Sequence, residues 1–91
     1  MAGTVAVITK IMPESPDTNL DEIEEKAKKV MEEQGGMNIS YSREPIAFGL
    51  NAIMLKMAWP EEKDTEIIET KLAEIEHVSS AQITDYRRAF G

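Results

Sequence analysis

Only six residues, Glu44 to Gly49, part the two middle extended runs of the chain, whereas the other neighbouring runs are parted by helical stripes. Those six read Glu-Pro-Ile-Ala-Phe-Gly. Proline removes a backbone donor and pushes the residue before it toward extended geometry, and glycine reaches conformations closed to other residues. A tight turn is predicted there. The result is a central antiparallel hairpin flanked by two crossovers that each contain a helix, and few folds accommodate that order.

The extended runs declare themselves by side-chain alternation with period two. From Thr4 to Met12, Val5, Val7, Thr9 and Ile11 share one face, while Ala6, Ile8, Lys10 and Met12 share the other, the lysine marking it as less buried. Pro13 and Pro16 break this strand and stiffen the loop after it. Met37 to Arg43 alternates with Met37, Ile39 and Tyr41 inward and Asn38, Ser40 and Ser42 outward. Leu50 to Trp59 sets Ile53, Leu55 and Met57 against Ala52, Met54 and Lys56, and Pro60 stops it. Both of its faces are largely apolar, which suits a central strand. Val78 to about Phe90 supplies a last strand with the weakest pattern, polar on both faces.

Between these runs lie two stripes of helical period. Asn19 is a fitting N-cap with Glu22 three residues on, and Leu20, Ile23, Ala27, Val30 and Met31 trace the apolar face. Glu22–Lys26, Glu24–Lys28 and Glu25–Lys29 stand at i,i+4 with the acid first, a solvated charged face. Gly35-Gly36 ends this helix. Asp64 caps a second one, with the stripe Ile67/Ile68, Lys71/Leu72 and Ile75.

The order is β-α-β-β-α-β, the mark of an α+β, ferredoxin-like sandwich. Right-handed crossovers put both helices on one face of a four-stranded antiparallel sheet with strand order 4-1-3-2. The loop from Met12 to Asn19, the central hairpin and the His77 turn then share one end. The Gly35-Gly36 turn, the Pro60 loop and the C-terminal stretch share the other, ~25–35 Å away at about 3.3 Å per residue. Ninety-one residues suit one domain spanning 1–91.

Composition narrows the function classes. Seventeen acidic against ten basic residues leave a net charge of −7, a surface that repels a polyanion. RNA-binding domains of the same topology stack bases on aromatics of the central strands, and Ala6, Ile8, Ala52 and Met54 offer none. Direct nucleic-acid binding is therefore not expected. With no cysteine and a single histidine, His77, neither thiolate chemistry nor a metal site is expected. No phosphate loop, nucleophile elbow or zinc-protease helix is present, so catalysis of a covalent reaction is not predicted. No apolar run reaches the ~20 residues of a membrane span, and no secretory signal is visible.

Three motifs carry a family resemblance: Met12–Pro16 (MPESP), Glu44–Leu50 (EPIAFGL) and the ending from Val78, VSSAQITDYRRAFG. Together, in that order and over essentially the whole chain, they resemble archaeal translation elongation factor 1-beta. That family is the guanine-nucleotide exchange factor for the elongation GTPase that carries aminoacyl-tRNA, elongation factor 1-alpha. The resemblance implies a cytoplasmic, non-enzymatic factor that needs no cofactor, is monomeric alone, and promotes replacement of GDP by GTP.

Residue type and spacing alone favour Phe48 as a plug beneath the hairpin. The resemblance instead implies an anchor for the GTPase at Phe48, framed by Pro45 and Gly49. Arg87-Arg88 reads by itself as a solvated strand terminus. In eukaryotic relatives a lysine near the C-terminus reaches toward the nucleotide's magnesium site, and the alignment sets Arg88 at that position, with Arg87 able to share the role. Arginine is a planar fork rather than a compact ammonium, so the cation is kept and its geometry is not. The open sheet face, with Ala6, Ile8, Leu50, Ala52, Met54, Lys10 and Lys56, is apolar enough to suggest an interaction surface. The alternative, from another class, is a small regulatory module of this fold that binds a metabolite and dimerises through its sheet.

Overall fold

The computed structural model describes residues 3–88. In chain order they form β1 (Thr4–Pro13), α1 (Leu20–Glu33), β2 (Met37–Pro45), a 3₁₀ turn (Ala47–Gly49), β3 (Asn51–Pro60), α2 (Glu66–Ala73) and β4 (Val78–Arg88). The sheet runs β2-β3-β1-β4, every neighbouring pair antiparallel. This is the expected ferredoxin-like α+β arrangement. The expected continuation of β4 to Phe90 falls outside the described residues.

Alternation along β1 is strict: Val5, Val7, Thr9, Ile11 and Pro13 are buried, and the residues between them are half-buried. Pro13, expected to break the strand after Met12, is instead its last residue, where no further ladder donor is needed. Ile53, Leu55, Met57 and Trp59 of β3 face the same core, joined by Ile23, Ala27 and Met31 of α1 and Ile68 and Leu72 of α2. Each large side chain buried this way contributes about 1.5–3 kcal/mol. The Thr9 hydroxyl is sealed in this core without a hydrogen-bond partner.

The helix ends follow from local chemistry. Asn19 Oδ1 accepts the Glu22 N–H at 3.3 Å, satisfying one of the free donors of the first turn. At the other end Gly36 N–H donates to the Met31 carbonyl at 2.8 Å and Gly35 N–H to the Glu32 carbonyl at 3.1 Å, a Schellman closure. Gly35 has φ +105°, and a Cβ on Gly36 would stand 2.9 Å from Met57 Sδ. The last turn of α1 holds no basic residue of its own. Lys63, from the loop after β3, supplies one instead by donating to the Gln34 carbonyl, and its ammonium also lies 5.5 Å from the Trp59 ring centroid. In α2 the N-cap position falls on Thr65 rather than on the expected Asp64, whose Oδ1 accepts the Glu66 N–H at 2.9 Å from one residue earlier.

Three further expectations are corrected. Met37 does not point inward: it is 45% exposed, and it pairs with Ala58 of the open face. Asn38, at φ 53°, marks an extra residue in β2 between the Met37–Ala58 and Ser40–Lys56 pairs. One inserted residue flips everything before it to the other face. Second, Glu24 does not serve a helix-surface pair with Lys28; it turns to Arg43 on β2, 3.1 Å from Nε, while Glu22–Lys26 closes at 3.1 Å. Arg43 also pairs with Asp21, and these hydrogen bonds, Glu24 first, hold its guanidinium above its ordinary pKa. Third, Ala52 is on the open face but wholly buried.

Candidate partner-binding site

The hairpin tip places two residues in succession in the left-handed region, Phe48 at φ 63° and ψ 29°, and Gly49 at φ 76°. Glycine adopts this without penalty, whereas an L-residue with a Cβ is disfavoured by ~1–2 kcal/mol. The turn is closed beneath them. Ile46 N–H donates to the Leu50 carbonyl at 2.7 Å, and Leu50 N–H donates to the Ala47 carbonyl at 3.4 Å. Pro45 ends β2 opposite Asn51, where its missing donor is not needed.

Phe48 is 94% exposed, which overturns the plug reading drawn from residue type and spacing. The backbone bends into a disfavoured conformation and thereby holds a large aromatic ring out in solvent. Pro16 lies beside the tip, its Cβ 3.9 Å from where a Gly49 Cβ would stand. The His77 turn joins the same end: Glu14 N–H donates to the His77 carbonyl at 3.0 Å, and Glu14 Oε1 is 3.3 Å from His77 Nδ1. His77 too has a positive φ, 72°, and Glu76 stands 3.5 Å from its Nε2. Hairpin, proline-rich loop and His77 turn thus form one tip, with an aromatic at its apex and carboxylates around it.

Arg87 and Arg88 lie at the opposite end. The ten residues of β3 separate the two tips by about 30 Å at ~3.3 Å each, and the molecule is 44 Å long. Adjacent in sequence, the two arginines are not adjacent in function, because successive strand residues point to opposite faces. Arg87 pairs with Ala6 in the ladder and stands over the open face, its Nε 3.1 Å from Asp85. Arg88 pairs with Val5, whose side chain enters the core, so it leaves on the helix side, where Nη2 is 2.5 Å from Glu61 Oε1. Both are largely exposed, at 79% and 78%. Each forms an ion pair near the surface, with Asp85 and Glu61 respectively.

The structure therefore brings Pro45, Phe48 and Gly49 together and holds Arg87 and Arg88 a strand's length away. A partner touching both groups has to span the sheet. Sequence reasoning passed over Glu61, Asp85, Glu14 and Glu76. The i,i+2 spacing of Asp85 and Arg87 on one strand face carried a readable signal, whereas Glu61 meets Arg88 only because β1 pairs with both β3 and β4 in this register. Among the described residues no helix is long and apolar enough to cross a membrane.

Comparison with known proteins bears on what such a two-ended molecule is. The family model for the EF-1 guanine nucleotide exchange domain matches residues 6–88, which includes the hairpin and both arginines. Elongation factor 1-beta of Methanocaldococcus jannaschii is 42% identical over 84 residues, covering 91% of this chain and 94% of that protein. Elongation factor 1-beta of Pyrococcus horikoshii is 41% identical over 83 residues, covering 89% and 90%. That of Methanosarcina barkeri is 40% identical over 87 residues, covering 94% and 98%. On a match that runs from the first strand to the last, the chain belongs to the family of EF-1 guanine nucleotide exchange domains.

Proposed function

We propose that the chain promotes exchange of GDP for GTP on the translation elongation GTPase, elongation factor 1-alpha, and so regenerates its active form during protein synthesis. The observation that carries this reading is Phe48, a solvent-exposed aromatic held in a disfavoured backbone conformation at one tip. An exposed aromatic on a closed turn is the kind of anchor that dominates protein interfaces. Strain of this kind persists where the surrounding structure over-determines it, and it clusters at functional positions.

The factor acts by contact alone and forms no bond to the nucleotide. A GTPase holds GDP through its phosphate loop and a magnesium ion. A protein that prefers the empty GTPase weakens nucleotide affinity by the same factor by which nucleotide weakens its own, because the coupling is reciprocal. Phe48, with Pro45 and Gly49 shaping its turn, anchors the complex at one tip. At the other, Arg88 supplies a permanent cation able to compete with Mg²⁺ or draw anionic switch groups from it, and Arg87 assists from the opposite face of the strand. The rigid sheet between them converts binding energy at Phe48 into force at the nucleotide site. The whole chain serves as a single exchange domain, working as a monomer in the cytoplasm.

The test is release of fluorescent GDP from purified elongation factor 1-alpha, followed after mixing with excess unlabelled GDP. The wild-type chain accelerates release, and Arg88→Ala blunts the acceleration while its urea unfolding curve stays where it was. Release that is equally fast with and without the wild-type chain overturns the proposal.

A further inference from the structure

The carboxylate that Arg88 meets stands two strands away from it. β1 lies between β3 and β4, and Glu61 follows Pro60, the last residue of β3. Neighbouring strands are about 4.8 Å apart, so roughly 10 Å separates β3 from β4. Across that gap Arg88 Nη2 comes to 2.5 Å from Glu61 Oε1. The pair lies crosswise over the start of β1, and the guanidinium is drawn toward β3 instead of straight out past the end of its own strand.

Glu61 is the fixed partner of the two. Its N–H donates to the Gly3 carbonyl at 3.0 Å, and Pro60 before it has a φ locked by its ring. Its side chain is 32% exposed, against 78% for Arg88. Lys63, the cation of the same loop, is turned away to the Gln34 carbonyl and the Trp59 ring. The strand end does not depend on the pair, because Ala6–Arg87 and Val5–Arg88 already close the ladder there.

We infer that Glu61 is a positioning residue that restrains Arg88: it holds the guanidinium back along the end of the sheet until Arg88 trades it for an anionic group of the partner. This rests on the exchange reading above and adds a regulating contact to it. A cation that competes with Mg²⁺ or draws anionic groups has to arrive unpaired, so Arg88 must first give up Glu61. The strength of the contact suits one made to be exchanged. An exposed ion pair shifts an equilibrium by only about 2- to 5-fold, and a carboxylate or phosphate of the partner can make charge-assisted bonds to the same planar fork.

The test is release of fluorescent GDP from elongation factor 1-alpha over a range of concentrations of the whole chain, for wild type, Glu61→Gln, Arg88→Ala and the double variant. At low ionic strength Glu61→Gln should raise the maximal rate about 2- to 5-fold, with the half-maximal concentration, set by the Phe48 anchor, unchanged. Salt should erase that advantage by screening the pair in the wild-type chain. On an Arg88→Ala background the same substitution should change nothing, because the two residues act as one unit. A Glu61 that merely props up the fold would act equally with or without Arg88. A maximal rate unchanged or lowered by Glu61→Gln overturns the inference, as does a gain that persists without Arg88. In either case a wild-type chain that accelerates release leaves the exchange reading standing, whereas one that does not removes both.

Discussion

Replacing Phe48 by glycine should make the domain more stable and less useful. With 94% of the residue exposed, removing the ring forfeits about a twentieth of the ~1.5–3 kcal/mol that full burial of such a side chain contributes, or about 0.1–0.2 kcal/mol. Against that, the substitution relieves a left-handed conformation that disfavours a residue with a Cβ by ~1–2 kcal/mol. Glycine's greater freedom in the unfolded chain takes back ~0.5–1 kcal/mol. The net is a gain of about 0.5–1 kcal/mol, which in a domain of this size raises Tm by about 2–8 °C. Phe48→Ala separates the terms. It removes the same ring but keeps a Cβ at φ 63°, so its stability should stay within about 0.5 kcal/mol of wild type. Both variants should lose partner affinity alike, by about 2 kcal/mol for a truncated anchor, or ~30-fold. Equilibrium urea unfolding reads the first quantity, and titration of the nucleotide-free GTPase reads the second. If Phe48→Gly is less stable than wild type by 1 kcal/mol, the ring is packed against something and the argument from strain is wrong.

Three further outcomes follow from other parts of the molecule. Thr9→Val replaces a buried hydroxyl that has no partner by a methyl of similar shape, and should raise urea stability by about 1 kcal/mol; a loss would mean that the hydroxyl is hydrogen-bonded. Gly36→Ala puts a Cβ 2.9 Å from Met57 Sδ and 3.1 Å from the Met31 carbonyl, and should reduce stability by about 1–3 kcal/mol, visible as a lower denaturation midpoint. Burial first, then Glu24 and Glu32, push the Tyr41 hydroxyl up from 10.0 to about 12. A folded pKa above the unfolded one gives stability that is complete below pH 10 and lost as pH climbs toward 12. Tyr41→Phe should flatten that alkaline decline in unfolding experiments run across the same pH range.

The strand order and the helix faces were legible because they depend on periodicity, which survives in a single sequence. Strict alternation in β1 and the Ile23–Ala27–Met31 stripe both appear in the fold as read. What was not legible depends on single-residue geometry. Nothing in the composition of Met37-Asn38-Ile39 announces that Asn38 adopts φ 53°, yet that one dihedral sends Met37 to the opposite face. Glu24 offered two partners of the right charge, Lys28 one helical turn on and Arg43 across on β2. The planar fork that receives both Glu24 and Asp21 is the better fit. Arg87 and Arg88 are neighbours in the sequence, but strand geometry assigns one to each face.

That division changes what the far tip can do. Two cations on one face would make a single anion cradle, indifferent to how the partner arrives. One on each face makes the tip a wedge. Arg88 leaves on the helix side, while Arg87 stands over the open face on the same side as Lys10 and Lys56. The sheet is what gives such a wedge leverage. Its central strands pair along nearly their whole length from Thr4–Pro60 to Ile11–Ile53, so bending the molecule between its tips would break ladder hydrogen bonds in sequence. On the proposed reading, a partner that accepts Phe48 meets Arg88 at a fixed reach and must move its own groups to accommodate it. In a GTPase the groups with freedom to move are those that hold magnesium and phosphate, and that is where the proposed exchange activity would act.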